Sequence, residues 1–90
     1  MEAQLEDQLN AIMARPGVVG VTCVDKRGLC LSAKGIASPN MSGVLSSIAD
    51  QARKVDPANS SSPIVRLESD QGYCLVQKRS DFTLGIFKKY

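Results

Sequence analysis

Nucleophile and ligand chemistry is scarce in this chain, whose 90 residues include no histidine and three cysteines, Cys23, Cys30 and Cys74. Without an imidazole, Ser-His and Cys-His nucleophile pairs cannot be assembled, and most catalytic zinc sites lose a usual ligand. The cysteines are spaced unlike a zinc ligand set, and an odd number does not close a disulfide framework. Cys23 and Cys74 fall in apolar strand patterns, where a thiol serves as a small hydrophobe, so reduced and metal-free thiols are expected. Glu68 and Asp70 lie close enough to be read as paired carboxylates. Asp70, however, sits in Ser69-Asp70-Gln71-Gly72, which repeats the turn chemistry of Asp25-Lys26-Arg27-Gly28, and reads as a turn residue. Gly17, Gly20, Gly28 and Gly35 do not form the G-x-G-x-x-G run that opens a phosphate-binding helix. No catalytic, cofactor-binding or metal residue is expected. The chemistry points to binding.

The balance of the chain agrees. At 43% hydrophobic and 22% charged residues it is an ordinary globular sequence and not a disordered one. A net charge of +2 is too weak to argue for nucleic acid, and Lys88-Lys89 reads as a solvated terminus. Lys78-Arg79 is either a partner-binding pair or a solvated strand end. Ninety residues make one domain, 1–90, with a small core. No run approaches the ~20 apolar residues that span a bilayer. The start, MEAQLEDQL, lacks the basic and apolar regions of a secretory signal and a Gly at position 2, and no prenylation box closes the chain. A soluble, intracellular protein is expected, held at any membrane by something else.

The elements follow from periodicity. Leu5, Leu9, Ile12 and Met13 recur at helical spacing, so residues 2–15 read as an amphipathic helix stopped by Pro16-Gly17. Residues 18–35 read as a β-hairpin in which Gly28 takes the left-handed position after a type I turn. The expected register sets Cys23 against Leu31, Val21 against Ala33, Thr22 against Ser32 and Gly20 against Lys34, sorting apolar from polar. Cys30 then opposes Val24, whereas a bulge-free turn would bring it opposite Cys23. Ser38 caps a second helix with Pro39 in its first turn, and Met41, Val44, Leu45, Ile48, Ala52 and Val55 are expected on one face. Residues 56–62 form a polar, Ser-rich loop.

Three strands complete the chain, over 64–68, 73–78 and 82–88. Gly72 is expected to turn the first of these connections as Gly28 does. In the second, a bulged loop at Arg79-Ser80-Asp81 would place Asp81 in the left-handed region and set Val76 against Leu84, Cys74 against Ile86 and Gln77 against Thr83. The order α-β-β-α-β-β-β suits an antiparallel sheet flanked by helices. The last two strands are apolar on both sides, and a sheet of that kind needs cover on both faces. Two short helices leave part of it bare and both edges unpaired, which a partner would remedy.

The helix followed by Val19-Gly20-Val21, the D-x-x-G turn, Gly28-Leu29, the Leu67-Glu68-Ser69-Asp70 segment, Val76-Gln77-Lys78 and the start Met1-Glu2-Ala3 with Leu5-Glu6 together resemble the roadblock/LC7 family. The likeness runs the length of the chain. It departs at Asp81, where the family pattern leads one to expect Gly, and in residues of the second helix. The resemblance implies an α+β, profilin-like fold with a five-stranded antiparallel sheet of order 2-1-5-4-3. It implies one helix on each face and, as in a shortened subfamily, no C-terminal helix.

By the same resemblance the chain is a non-catalytic scaffold subunit that needs no cofactor and pairs with another roadblock-fold subunit. The subfamily belongs to the lysosomal Ragulator complex, which anchors Rag GTPases and couples amino-acid supply to the TOR kinase. Its membrane anchor lies on a different, lipidated subunit. A viral X protein and an anti-apoptotic protein are further implied partners. The other class in play is a self-sufficient roadblock homodimer acting on a small GTPase or as a motor light chain; an enzyme is a distant third. The expected partner surface is an outermost strand carrying Ile64, Val65, Arg66 and Leu67, beside Val44, Ile48 and Ala52 of the second helix. Small residues Ser42, Ser46, Ala49 and Ala52 leave open whether that helix packs on its own sheet alone or also on a partner helix.

Overall fold

The computed structural model describes residues 2–58 and 62–90, so the Ser-rich loop expected at 56–62 lies partly outside the described residues, as does Met1. Helix α1 (Glu2–Met13) leads into strands β1 (Val18–Asp25) and β2 (Cys30–Gly35). A 3-10 turn (Pro39–Met41) precedes helix α2 (Ser42–Arg53), and β3 (Val65–Glu68), β4 (Gly72–Arg79) and β5 (Phe82–Lys89) follow. The five strands form one antiparallel sheet in the order β2-β1-β5-β4-β3. No helix follows β5 among the described residues.

Strand alternation divides the core into two layers. On one face Leu9 of α1 packs on Val21 and Cys23, with Leu5, Ile12, Met13, Phe82, Leu84 and Ile86 around them. On the other, Leu45 and Ala49 of α2 pack on Cys74 and Val76, joined by Met41, Val65 and Phe87. Ser38 does accept a hydrogen bond from the Asn40 amide at 3.2 Å, but it caps the 3-10 turn, and α2 starts only at Ser42 without a side-chain cap.

The first hairpin turn is built as its residues suggest. Gly28 has φ +89°, its amide donates to the Asp25 carbonyl at 3.0 Å, and the Asp25 amide donates to the Leu29 carbonyl at 2.8 Å. The Asp25 carboxylate accepts from the Arg27 and Leu29 amides, both at 2.9 Å, and these bonds, Leu29's first, hold it below the usual carboxylate range. Val24 opposes Cys30.

Beyond that pair the register departs from expectation. A bulge between Cys23 and Val24 slips β2 by one residue, giving Cys23↔Ser32, Thr22↔Ala33, Val21↔Lys34 and Gly20↔Gly35. Leu31 is the extra residue and is turned outward. The slip moves Lys34 onto the α1 face, where it forms an ion pair with Glu6, and sets Ala33 opposite the buried Thr22 on the α2 side. Burial of a lysine under α2 is thereby avoided.

The last hairpin also differs. Arg79 pairs with Phe82 across a two-residue Ser80-Asp81 turn, and Ser80, not Asp81, takes the positive φ, at +45°. The register becomes Val76↔Gly85, Cys74↔Phe87 and Gln77↔Leu84. Helix packing explains the shift: a Cβ at Gly85 would lie 3.1 Å from Leu45 Cδ1, so the residue beneath α2 must be small. A leucine there would hold the helix off the sheet. Gly72 is likewise not a left-handed turn residue but the first residue of β4. Its requirement is closeness, since a Cβ would sit 2.1 Å from the Lys88 carbonyl oxygen.

Candidate partner-binding edge

β3 is the outermost strand, beyond β4, and no other strand of the described residues pairs with its outer side. Its ladder with β4 runs Val65↔Val76, Arg66↔Leu75, Leu67↔Cys74 and Glu68↔Tyr73, without a bulge. Just past it, the Ser69 amide donates to the Gly72 carbonyl at 2.8 Å. Antiparallel pairs alternate between bonded and non-bonded, so Leu67 and Val65 direct their amides and carbonyls at β4. The outward backbone groups of β3 are therefore those of Arg66 and Glu68.

Side chains alternate accordingly. Val65 and Leu67 lie on the α2 face, where Val65 joins the Leu45 cluster and Leu67 is 42% exposed. Arg66 and Glu68 lie on the opposite face and form an exposed ion pair with each other. The Arg66 guanidinium stacks 3.8 Å above the Tyr73 ring, and Tyr90 approaches the same ring at 5.8 Å between centroids. Lys88 Nζ lies 5.9 Å from that ring, so this end of the sheet carries cations over an aromatic pair.

The expected surface residues are sorted by these contacts. Val44 and Ile64 are largely exposed, Ile48 and Ala52 are half-buried, and Ile64 precedes β3 instead of belonging to it. The inward face of α2 is Ser42, Leu45, Ser46 and Ala49; of the stripe expected on one face, Leu45 is buried, Met41 packs beside it, Ile48 and Ala52 are half-buried, and Val44 and Val55 are exposed. Gly85 leaves room beneath α2 for Leu45, while Val44 and Val55 are turned to solvent. On the outer side Val44, Ile48 and Ala52 recur at four-residue spacing and form an apolar strip that is exposed at Val44 and only partly covered at Ile48 and Ala52 by the described residues. α2 touches β3, which brings the strip beside the free edge. Lys78 donates to the Asp50 carboxylate at 2.8 Å and ties the end of β4 to α2, so it is a structural pair. Arg79 remains exposed.

The part of the sheet expected to be left bare by two short helices has a definite shape. At the end of the sheet not covered by α2, a cavity of about 300 Å³ is lined by Val19, Ile36, Leu67, Cys74 and Phe87. Ile36, 65% exposed, stands at its rim. The signal in the sequence was the shortness of α2 relative to eight-residue strands. The outward direction of Arg66 and Glu68 was readable only once the turn at Ser69 was known. The thiols are free; burial raises that of Cys23 and pushes Cys74 to about 11, so both are neutral at ordinary pH and poor ligands or nucleophiles. Among the described residues no group of metal-ligating side chains converges. No helix of the described residues is long and apolar enough to cross a membrane.

Comparison with known proteins sharpens this arrangement. Residues 1–88 match the family described as Ragulator complex protein LAMTOR5. The chain is 39% identical over 88 residues to the LAMTOR5 homolog of Nematostella vectensis, covering 98% of this chain and 97% of that protein. It is 32% identical over 88 residues to the homolog of Dictyostelium discoideum, covering 98% of each. In structure it is similar to a roadblock/LC7 domain from Streptomyces avermitilis, with a TM-score of 0.75 at 18% identity over 92% of this chain and 77% of that one. The gliding protein MglB of Thermus thermophilus superposes with a TM-score of 0.80 at 10% identity, over 98% and 73% of the two chains. These structural likenesses carry the roadblock fold.

Proposed function

The chain belongs to the LAMTOR5 family of Ragulator complex proteins, and from that premise we propose that it is a non-catalytic scaffold subunit that pairs with another roadblock-fold subunit through β3 and α2. The observation that carries this reading is the bulge-free β3 edge lying beside a partly exposed apolar strip on α2. Exposed strand edges recruit strands, and backbone bonds then set register while flanking apolar side chains supply most of the free energy. Val44, Ile48, Ala52, Ile64, Val65, Arg66 and Leu67 make up this surface, with Val65 serving from within the core.

The role of such a subunit is to complete an assembly that recruits Rag GTPases at the lysosomal surface and passes amino-acid supply to the TOR kinase, the anchor belonging to another subunit. The chain would be the counterpart of the hepatitis B X-interacting protein, whose family resemblance adds a viral X protein and an anti-apoptotic protein as partners.

The test is co-expression with a second roadblock subunit. A scaffold subunit is stabilised by its partner through mass action, and its unfolding midpoint should rise as partner is added. Ile48→Asp buries an unpaired charge and should abolish co-purification. A chain equally stable with and without every roadblock partner offered, or an Ile48→Asp variant that still co-purifies, overturns the reading in favour of a self-sufficient unit.

A further inference from the structure

α2 covers only one end of its face of the sheet, with Gly43 beside the Gly28 turn and Asp50 bonded to Lys78 near the end of β4. At the other end the cavity of about 300 Å³ lies open over Val19, Leu67, Cys74 and Phe87, with Ile36 at its rim. That is within the size range of small-molecule sites, and the neutral Cys74 thiol makes the walls apolar throughout. The backbone around the mouth is already paired. The Val19 carbonyl accepts from the Ile36 amide at 3.0 Å, the Gly72 carbonyl from the Ser69 amide at 2.8 Å and the Gln71 carbonyl from the Tyr90 amide at 3.2 Å. An incoming peptide would therefore bury its own amides and carbonyls here without partners, which is costly. A hydrocarbon chain carries no such groups. The charge at the mouth is of one sign: among the described residues no carboxylate side chain lines the cavity, and Glu68 is held by Arg66 on the opposite face. Lys89 follows Phe87 by two residues in β5 and so lies on the cavity face, exposed and outside the ion pairs of the described residues. Lys88 is turned the other way, its Nζ 5.9 Å from the Tyr73 ring.

We propose that this cavity binds a medium-chain carboxylate, a free fatty acid whose chain lies against Val19, Leu67, Cys74 and Phe87 and whose head group meets the Lys89 ammonium. A methylene occupies about 30 Å³, as a liquid water does, so the cavity takes a chain of about ten carbons. Ile36 closes over the chain from the rim. Only Leu67 is common to the cavity and the partner edge, so ligand binding here stands or falls apart from the pairing of β3.

Titration of the full-length chain with decanoate below its micellar concentration, read by calorimetry and by amide chemical shifts, tests this. One equivalent should bind, with the largest shifts at Gly72, Cys74 and Phe87. Hexanoate should bind about a hundredfold more weakly, because four fewer methylenes leave water. Decyltrimethylammonium, with the same chain and the opposite charge, should bind about fivefold more weakly than decanoate. Lys89→Glu should weaken decanoate about fivefold, whereas Lys26→Glu, the same charge change in the hairpin turn at the other end of the sheet, should leave it unchanged. Ile36→Asp alters an exposed rim residue without threatening the fold and should weaken decanoate about tenfold. Titration that never saturates, shifts centred away from the cavity, or equal affinity for the cationic analogue overturns the proposal. So does a Lys89→Glu variant with the wild-type unfolding midpoint that binds decanoate as wild type does.

Discussion

β2 and β3 both end the sheet with unpaired backbone, but their outer residues are arranged in opposite ways. β2 is interrupted by a bulge at Leu31, ends in Gly35 at φ +64°, and has Lys34 tied to Glu6 of α1. A kinked strand makes a poor template for a foreign one, and bulges are a common means of blunting an edge. β3 keeps an unbroken register with β4, exposes Leu67, and lies beside the partly exposed strip of α2. Exposed apolar residues occur at both edges, with Leu29 and Leu31 at one and Ile64 and Leu67 at the other. What separates them is backbone regularity. Apolar content alone therefore does not mark the partner side.

The contrast can be broken most severely at Gly35. A Cβ there would meet the Val19 carbonyl oxygen at 2.2 Å in a left-handed backbone, so Gly35→Val combines a clash with strain. We expect a loss on the order of 3 kcal/mol or more, read as a lower urea midpoint. The bulged edge would be unmade with the fold.

The next effect is on assembly. Arg66→Pro removes an outward donor from β3 and should reduce partner binding about a hundredfold in a pull-down titration, with little change in the unfolding midpoint. Val65→Pro is the less clean variant, because the Val65 amide faces β4 and its loss damages the monomer's own ladder. Ala33→Pro, at an outward position of the bulged edge, should leave partner binding unchanged. Equal effects of Arg66→Pro and Ala33→Pro would remove the distinction between the edges.

Gly28→Val should cost about 1–3 kcal/mol of stability. The nearest atoms to a Cβ there are 3.9 Å and 4.0 Å away, so only the φ of +89° resists substitution. Gly28→Asn should accordingly recover most of the loss, since Asn tolerates the left-handed region. No such rescue is expected at Gly35, where space is also lacking.

The smallest effect is in pH. The Cys74 thiol is raised to about 11 by burial, while an unfolded chain's thiol ionises near about 8.5. Below about 8.5 both states hold the proton and stability is unaffected. Above it the unfolded state alone releases the proton, so stability should fall with rising pH until about 11. Cys74→Ala should flatten that decline in urea titrations between pH 8 and 11, and a slope unchanged by the substitution would assign it elsewhere.

Much of this was legible in the residues. Helical spacing of Leu5, Leu9, Ile12 and Met13 placed α1, the D-x-x-G turn placed Gly28, and the run through Leu67-Glu68-Ser69-Asp70 carried the family likeness. These are local facts, decided by φ preferences and by which side chains water rejects within a few residues. The edge position of β3 came from the family likeness and a polar loop. The two hairpin registers did not come from the sequence: alternation of apolar and polar residues favours a different register in each. In each, a one-residue choice was settled by something distant along the chain: Glu6 drawing Lys34 to the α1 face, and Leu45 requiring glycine beneath α2. The outer strip of α2 likewise depends on which helix face meets the sheet: Leu45 and Ala49 take the inward side and leave Val44 exposed. Periodicity determines what a segment prefers by itself. Which face meets which partner is decided when two surfaces compete for the same space, and only the tertiary structure contains both.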